Sequence, residues 1–492
     1  MNKTPYLEIH NSFSYLRGFP KTAVDAVQEA LTYENQEVTF LIQQIKIQMT
    51  MAYRRKFYQK VHFFKGRLAE LENQKTVCWL KKDSFPTGHL ELVIGALDSL
   101  GIKFEAKDLR ENKARQIAYK LITDLPPNRY YQKEMLELAK IHHRGVFEAA
   151  VGSGKTNVIH NLIKEFQVPA LIVAPSKDLA AQLADSTATF FGKKYVELVD
   201  GAKKIKSDKP IRIVTIQTLT SLLKKDGLKA FLESVGLICW DEAHHMGSAS
   251  AVALLPYFDH VYYRFSFSGT FMRNDSKTLD MWGFASTVLY RYPASKATKD
   301  GFLTPLKTIV HDVRGFKGGT YQSEYTKNYC NNPELLLKIK EILEDFVTKN
   351  DQLLILVGRK DGTGKVIYDF IDKLGYSAVY IDGDSDRALV KESLSAFNNK
   401  KIQILIGSSI IGEGIDIRST DHLIMAQGGK SEIAVTQAVG RAVRLYPGKE
   451  VAFLHDFKFL NTKYLEKHLN SRLDIYAKNF DSEIILCGED DV

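Results

Sequence analysis

From Val168 onward, apolar runs of four or five residues alternate with amphipathic stretches. Ala170–Ala174, Ile211–Val214 and Leu237–Trp240 read as buried strands, with helical spacing over Lys177–Phe190 and Thr218–Leu232 between them. The pattern pauses and then resumes with strand-like runs at Leu353–Val357, Ala378–Ile381, Gln403–Ile406 and His422–Met425. A strand covered on both faces needs a continuous apolar run, and strands alternating with helices predict a parallel sheet. The break falls near Asp300–Pro305, where Gly301 and Pro305 interrupt both periods. Residues 1–115 lack the alternation. The pattern therefore predicts two α/β domains in tandem, 116–303 and 304–492, behind a small α+β accessory module, 1–115.

The length agrees with several domains, because a single core stops growing near roughly 250–300 residues and the chain has 492. An apolar share of 45% and a charged share of 25% are ordinary for a globular protein. The formal charge of +9 is compatible with a polyanionic partner without selecting one. No run approaches the ~20 apolar residues of a membrane span, and the polar first residues carry no signal segment, so a cytoplasmic protein without membrane contact is expected. Cys78, Cys239, Cys330 and Cys487 are scattered, which speaks against a zinc site or a disulfide framework. The His142-His143 and His244-His245 pairs lack the Cys or carboxylate spacing that would make them metal ligands.

Two motifs carry chemistry. Ala149-Ala150-Val151-Gly152-Ser153-Gly154-Lys155-Thr156 lies between a short apolar run and a helical stretch, Val158–Phe166. This is the strand–loop–helix setting of a phosphate-binding loop, in which backbone N–H groups cradle phosphates, Lys155 reaches the β- and γ-phosphates and the Thr156 hydroxyl binds Mg²⁺. Trp240-Asp241-Glu242-Ala243-His244 ends an apolar strand, placing Asp241 near that Mg²⁺ and Glu242 near an attacking water. ATP and Mg²⁺ are the expected cofactors. Gly362-Thr363-Gly364-Lys365-Val366 shares letters with the first motif but has Val where a metal-binding hydroxyl belongs, and it reads as a loop-to-helix turn.

With these motifs the chain resembles superfamily 2 helicases of the DEAH/DExH type, over about Arg129 to Arg444. The resemblance implies two RecA-like domains. It also implies roles: Arg129 and Gln132 at adenine, and Gly152, Ser153, Gly154, Lys155 and Thr156 at the phosphates. Pro175, Ser176, Gln182, Thr215 and Gln217 would face nucleic acid. Ser268 and Thr270 would couple hydrolysis to movement. Arg359 and Ser408 of the second domain would also touch the strand, while Gly414 and Asp416 would lie at the nucleotide. Gln437-Ala438-Val439-Gly440-Arg441-Ala442-Val443-Arg444 resembles the motif that lays two arginines on the γ-phosphate from across the cleft. Physics supports such an arrangement, since charge builds on the equatorial oxygens during phosphoryl transfer. Three apart, Arg441 and Arg444 share one face if both are helical.

Arg273 and Asp275, after Thr270, resemble the DNA branch of the superfamily more than the RNA branch. Between Val38 and Ala69 the accessory module has no Asp or Glu, but has Lys46, Arg54, Arg55, Lys56, Lys60, Lys65 and Arg67 among aromatics. Basic side chains neutralise phosphates, and the aromatics can stack on bases or pack inward. Phe85-Pro86-Thr87-Gly88-His89-Leu90, with a helix over Leu90–Leu100, and Gly318-Gly319-Thr320-Tyr321-Gln322 resemble the UvsW-like phage helicases. That group implies an ATP-dependent, 3′–5′ DNA helicase of recombination, repair or replication, acting on forks and four-way junctions. It is expected as a monomer with recombination or replication proteins as partners. Three alternatives stand: a DEAH-type RNA helicase, a duplex translocase that separates no strands, and a nucleic-acid-binding scaffold with a dead ATPase.

Overall fold

The protein is described from a computed structural model. It describes residues 4–199, 201, 208–225, 227–246, 249–269, 276–358, 362–408, 417 and 419–487. Thr270, Arg273, Arg359, Gly414 and Asp416 therefore lie outside the described residues.

Two seven-stranded, all-parallel sheets form in tandem. The first orders its strands 288–292, 144–149, 263–268, 237–240, 170–174, 211–215 and 196–198. The second orders them 378–381, 404–407, 353–357, 422–426, 452–459, 306–313 and 483–487. Central strands such as Ala170–Ala174, Leu353–Val357 and His422–Ala426 are buried at every residue, because helices cover both faces. The expected strands stand within a residue or two of the apolar runs. One expected element divides: Thr218–Leu232 is two helices, Ile216–Lys224 and Leu228–Leu232. The chain folds back between them, with the Gly227 N–H donating to the Leu222 carbonyl at 3.0 Å.

The accessory module is a four-stranded sheet in the order 84–86, 13–17, 6–9, 105–108, covered by the helices Lys21–Ala30 and Leu90–Ser99. A ribbon of two strands, Thr32–Glu34 and Thr76–Cys78, leads out to the antiparallel helices Gln36–Arg54 and Tyr58–Glu72. Most of the span rich in basic and aromatic residues forms this helical arm. The segment 109–129 then runs along the first parallel-sheet domain, tied by Ile117 N–H to the Gln167 carbonyl (2.6 Å) and Ile122 N–H to the Phe190 carbonyl (2.7 Å). Among the described residues, no helix is long and apolar enough to cross a membrane. None of the four cysteines forms a disulfide, and no group of His, Cys, Asp and Glu among the described residues could hold a metal ion by itself.

Candidate active site

The buried strand Arg144–Ala149 leads into the loop 150–154 and the helix Lys155–Phe166. Gly152 and Gly154 both take φ +82°, the left-handed region that bends the chain around a phosphate-sized hollow. A Cβ at Gly154 would fall 2.7 Å from Gln132 Nε2. The loop is braced from behind. Gln132 donates to the carbonyls of Ser153 (3.1 Å) and Gly154 (3.2 Å), and accepts from Arg129 N–H (3.0 Å). Tyr131 Oη donates to the Ser153 carbonyl at 2.5 Å while its ring stacks on Tyr292 at 3.8 Å. In this arrangement the Gln132 carboxamide holds the loop. Arg129 lies over the Phe302 ring, 4.3 Å from its centre.

Lys155 Nζ donates to the Ala149 carbonyl at 3.2 Å and stands 3.8 Å from Glu242 Oε1. Asp241 and Glu242 follow the strand Leu237–Trp240, and Glu242 turns back in a left-handed conformation at φ +50°. Its N–H donates to Asp241 Oδ1 at 3.1 Å, and His244 Nδ1 lies 3.4 Å from Glu242 Oε2. Burial, reinforced by the neighbouring Glu242 and opposed by Lys155, pushes the Asp241 carboxyl up to about 6. Beyond the strand that ends in Ser268, a Cβ at Gly269 would fall 3.0 Å from Lys155 Nζ and 3.7 Å from Glu242 Oε2. Gly269 thus faces both halves of the site.

The second domain closes over the loop. On the helix Glu432–Ala442, a Cβ at Gly440 would fall 2.7 Å from Val151 Cβ, so only glycine permits this approach. Arg441 is buried on that helix and Gln437 is half-buried. Arg444 does not share the helix: the helix ends at Ala442, and Arg444 follows beyond a turn, outside any helix or strand. Its aliphatic stem still reaches the phosphate loop, with Cγ 3.6 Å from a Cβ built at Gly152, while its Nη1 donates to the Ile417 carbonyl at 3.4 Å. The interdomain connection holds this segment. Thr304 N–H donates to the Val443 carbonyl (2.8 Å), Thr304 Oγ1 donates to the Arg444 carbonyl (3.3 Å), and Leu303 packs at Gly152.

Lys449 is a further contributor that motif spacing missed. Its buried ammonium donates to the carbonyls of Ala442 and Thr420 and lies 3.5 Å from that of Arg444. It therefore caps the helix and ties down the chain around the arginine. Burial pulls its pKa down to about 8. The visible signal was a lysine after Pro447-Gly448, where a turn brings it back under the helix end.

The loop and its surroundings fit a nucleotide with a hard divalent cation. Ser153 Oγ is buried without a hydrogen-bond partner, the hollow has left-handed glycines, and Thr156 with Asp241 supplies oxygen donors.

The residues expected at nucleic acid stand at the C-terminal ends of strands. Pro175 and Ser176 follow Ala170–Ala174, Thr215 ends Ile211–Thr215, and Ser408 follows Ile404–Gly407. Ser176 and Thr215 also cap helices, accepting from Leu179 N–H (3.3 Å) and Thr218 N–H (3.2 Å). Gln182 and Gln217 are exposed on those helices. Arg54, Arg55, Lys56 and Lys65 are exposed on the arm, far along the chain from the ATP-site motifs. The aromatics interleaved with them do not form a core: Tyr53, Phe57, Tyr58 and Phe63 are each at least half exposed.

Comparison with known proteins agrees with this architecture. Residues 126–273 match the family described as Type III restriction enzyme, res subunit, and residues 335–446 match the Helicase conserved C-terminal domain. The ATP-dependent DNA helicase uvsW of Enterobacteria phage T4 is 23% identical over 382 residues, covering 71% of this chain and 74% of that protein. The putative ATP-dependent helicase IRC3 of Saccharomyces cerevisiae is 24% identical over 334 residues, 63% of this chain but only 47% of the yeast protein. In fold, a fragment of a putative HsdR subunit of a type I restriction enzyme from Vibrio vulnificus superposes with a TM-score of 0.54 at 16% identity, over 76% of this chain and 70% of that one. Two RecA-like domains, a phosphate loop facing an arginine-bearing helix end, and both helicase families in tandem lead to one assignment: the chain belongs to the superfamily 2 helicases, ATP-dependent motors that act on nucleic acid.

Proposed function

We propose that this helicase works on DNA, and on branched DNA in particular, using ATP with Mg²⁺ to remodel forks and four-way junctions with 3′–5′ polarity. The observation that carries the nucleic-acid reading is the arm, with no acidic residue between Val38 and Ala69, basic residues throughout, and most of its aromatic rings exposed; DNA is favoured by the resemblance at Arg273 and Asp275. The T4 relative is named a DNA helicase, in agreement. In this reading Thr156 and Asp241 hold the cation, which would polarise the transferring phosphoryl group. Lys155 binds the β- and γ-phosphates, and Glu242 takes the proton of the attacking water. Gln437, Arg441 and Arg444 complete the site only when the domains are closed. Gln132 supports the loop and Arg129 flanks the base. The strand ends at Pro175, Thr215, Ser268 and Ser408 track the backbone, and the protein works as a monomer alongside recombination or replication proteins.

The test is one ATPase titration with single-strand DNA, duplex, forked DNA, a four-way junction and RNA side by side. Forked and four-way DNA should stimulate most. Stimulation by RNA and not by DNA would overturn the reading in favour of an RNA helicase.

A further inference from the structure

The arm is built unlike the rest of the molecule. Its two helices share a small apolar seam near the base, with Val38, Ile42 and Leu71 buried and Ile45 and Leu68 beside them. Toward the tip the seam thins, and large side chains turn outward: Met51 is 56% exposed, Tyr53 65%, Phe57 51% and Tyr58 63%. Tyr53 and Tyr58 meet edge to face across the turn, 6.4 Å between ring centres, and Lys60 lies over the Phe57 ring. Arg54, Arg55 and Lys56 occupy the turn itself, with Lys56 left-handed at φ +57°. Uncovered apolar rings of this size mark a contact surface. Lys46 and Arg67 toward the base pair with Glu72 and Glu70, but the cations at the turn lie in a stretch of sequence without acids, and together with the rings they suit a polyanion that also offers π-faces. Unpaired bases at a DNA junction offer both.

The base of the arm is fastened to a particular place. Tyr33 Oη and Trp79 Nε1, on either side of the ribbon, both donate to Asp280 Oδ1, at 2.6 and 3.0 Å. Asp280 lies on the helix Ser276–Phe284. The same helix takes a hydrogen bond from His89 Nε2 to the Leu279 carbonyl at 2.7 Å. It also crowds Gly88 so closely that a Cβ there would fall 1.8 Å from the Trp282 carbonyl oxygen. Among the described elements this helix is the next in the chain after the strand that ends in Ser268, and Gly269 beyond that strand faces Lys155 and Glu242, with a Cβ there falling 3.0 Å and 3.7 Å from them. The accessory module therefore rests on the helix that follows the ATP-site strand in the chain.

We infer that the arm is a strand-separating wedge whose tip stacks on bases at a single-strand/duplex DNA junction, and that Asp280 links its base to the hydrolysis cycle. This rests on the DNA reading above and adds to it a named wedge and a named linkage. Asp280, Tyr33 and Trp79 are positioning residues, acting through the contact between the arm and the helix Ser276–Phe284. Two variants separate the parts. In Tyr53→Ala/Phe57→Ala/Tyr58→Ala the rings already face solvent, so helicity should persist by circular dichroism. Stacking contributes about 1–3 kcal/mol per base, so junction affinity should fall by roughly five- to a hundredfold, and fluorescence of 2-aminopurine placed at the fork should lose its protein-induced change. In Tyr33→Phe/Trp79→Phe the rings remain and both donors go. ATP turnover on single-strand DNA should stay within about twofold of the parent, while strands separated per ATP on a fork fall severalfold.

A tip variant that separates forks and perturbs 2-aminopurine like the parent overturns the wedge. A latch variant with an unchanged ratio of strands separated to ATP consumed overturns the linkage. A tip that loses binding to a protein partner while fork binding is intact makes the arm a protein-docking surface and also overturns the wedge. If no DNA stimulates the parent enzyme, the DNA reading has failed instead, and the titration described above shows that independently.

Discussion

Each parallel-sheet domain has a left-handed glycine directly before a helix, and the lysines at the starts of those helices are put to opposite use. In the first, Gly154 at φ +82° precedes Lys155, whose side chain is only 9% exposed and lies between the Ala149 carbonyl and Glu242. In the second, Gly362 at φ +81° precedes the helix Thr363–Lys373. There Gly364 is packed so tightly that a Cβ would fall 2.3 Å from the Tyr380 ring. Lys365 points outward, 62% exposed, into an ion pair with Asp369 four residues on. The helix start is packed against an aromatic ring, and the lysine has a surface partner. The second domain contributes chemistry from elsewhere, through the end of the helix Glu432–Ala442. A fold repeated twice has thus been divided into a binding half and a completing half.

The sharpest way to break this division is Arg444→Ala. A guanidinium supplied across a cleft is worth roughly 10³–10⁵ in turnover, so kcat should fall by about 10³ while ATP affinity, measured by equilibrium binding, stays within a few fold. Normal turnover would remove the completing role from the second domain. Next comes the pair of lysines. Lys155→Ala should lower kcat by roughly 10²–10³, the range for losing one preorganised charge at a transferring group. Lys365→Ala should leave steady-state ATPase within about twofold. A large loss in the Lys365 variant would mean that the second turn also meets nucleotide.

How much of this was legible in sequence depended on how local the cause was. The strands were readable because a run such as Leu353–Val357 is apolar throughout and can only be covered on both faces. The phosphate loop was readable because its glycines, Lys155 and Thr156 are consecutive. The reading of Thr218–Leu232 as one helix failed at Gly227, where periodicity continues across a fold in the chain. The shared face of Arg441 and Arg444 failed because helix ends depend on capping, and Lys449, five residues later, supplies that cap. The support of the loop by Tyr131, the docking of Gly440 on Val151 and the tie from Tyr33 to Asp280 join residues distant in sequence. A single chain carries no pattern for such contacts.

Lys449 sharpens the comparison at a smaller scale, because it holds the completing half in place without touching nucleotide. Lys449→Met keeps the stem and removes the ammonium, leaving buried carbonyls at Ala442 and Thr420 without their donor. Each unsatisfied buried group costs about 1–3 kcal/mol, which the helix end relieves by shifting. Turnover should fall about tenfold with ATP affinity changed less than threefold. An equal rise in KM and fall in kcat would indicate general unfolding of the helix end instead of displaced arginines.

The smallest effect concerns stability rather than chemistry. The second sheet holds a chain of three buried histidines across neighbouring strands. His311 Nε2 meets His455 Nδ1 at 3.0 Å, and His455 Nε2 meets His422 Nδ1 at 3.1 Å. Burial pulls His311 and His422 down to about 4 and lowers His455 well below its ordinary value, with both neighbouring rings opposing its charge. Outside the second domain His160 and His89 are each pulled down to about 4 by burial and His143 is lowered, but these rings are not linked to one another. The unfolded chain takes up protons at these rings near pH 6.5 and the native one does not, so stability is full above about 6.5 and is lost as pH falls toward about 4. At about 1.4 kcal/mol per pH unit, one such ring contributes on the order of 3 kcal/mol, and the linked three cannot protonate independently. The second domain should therefore unfold first in acid. Trp79, Trp240 and Trp282 are the only tryptophans and all lie outside the second domain. Far-ultraviolet circular dichroism should then fall at a higher pH than tryptophan fluorescence changes. Coincident transitions, or fluorescence changing first, would show that the histidine chain does not set the acid stability of the second domain.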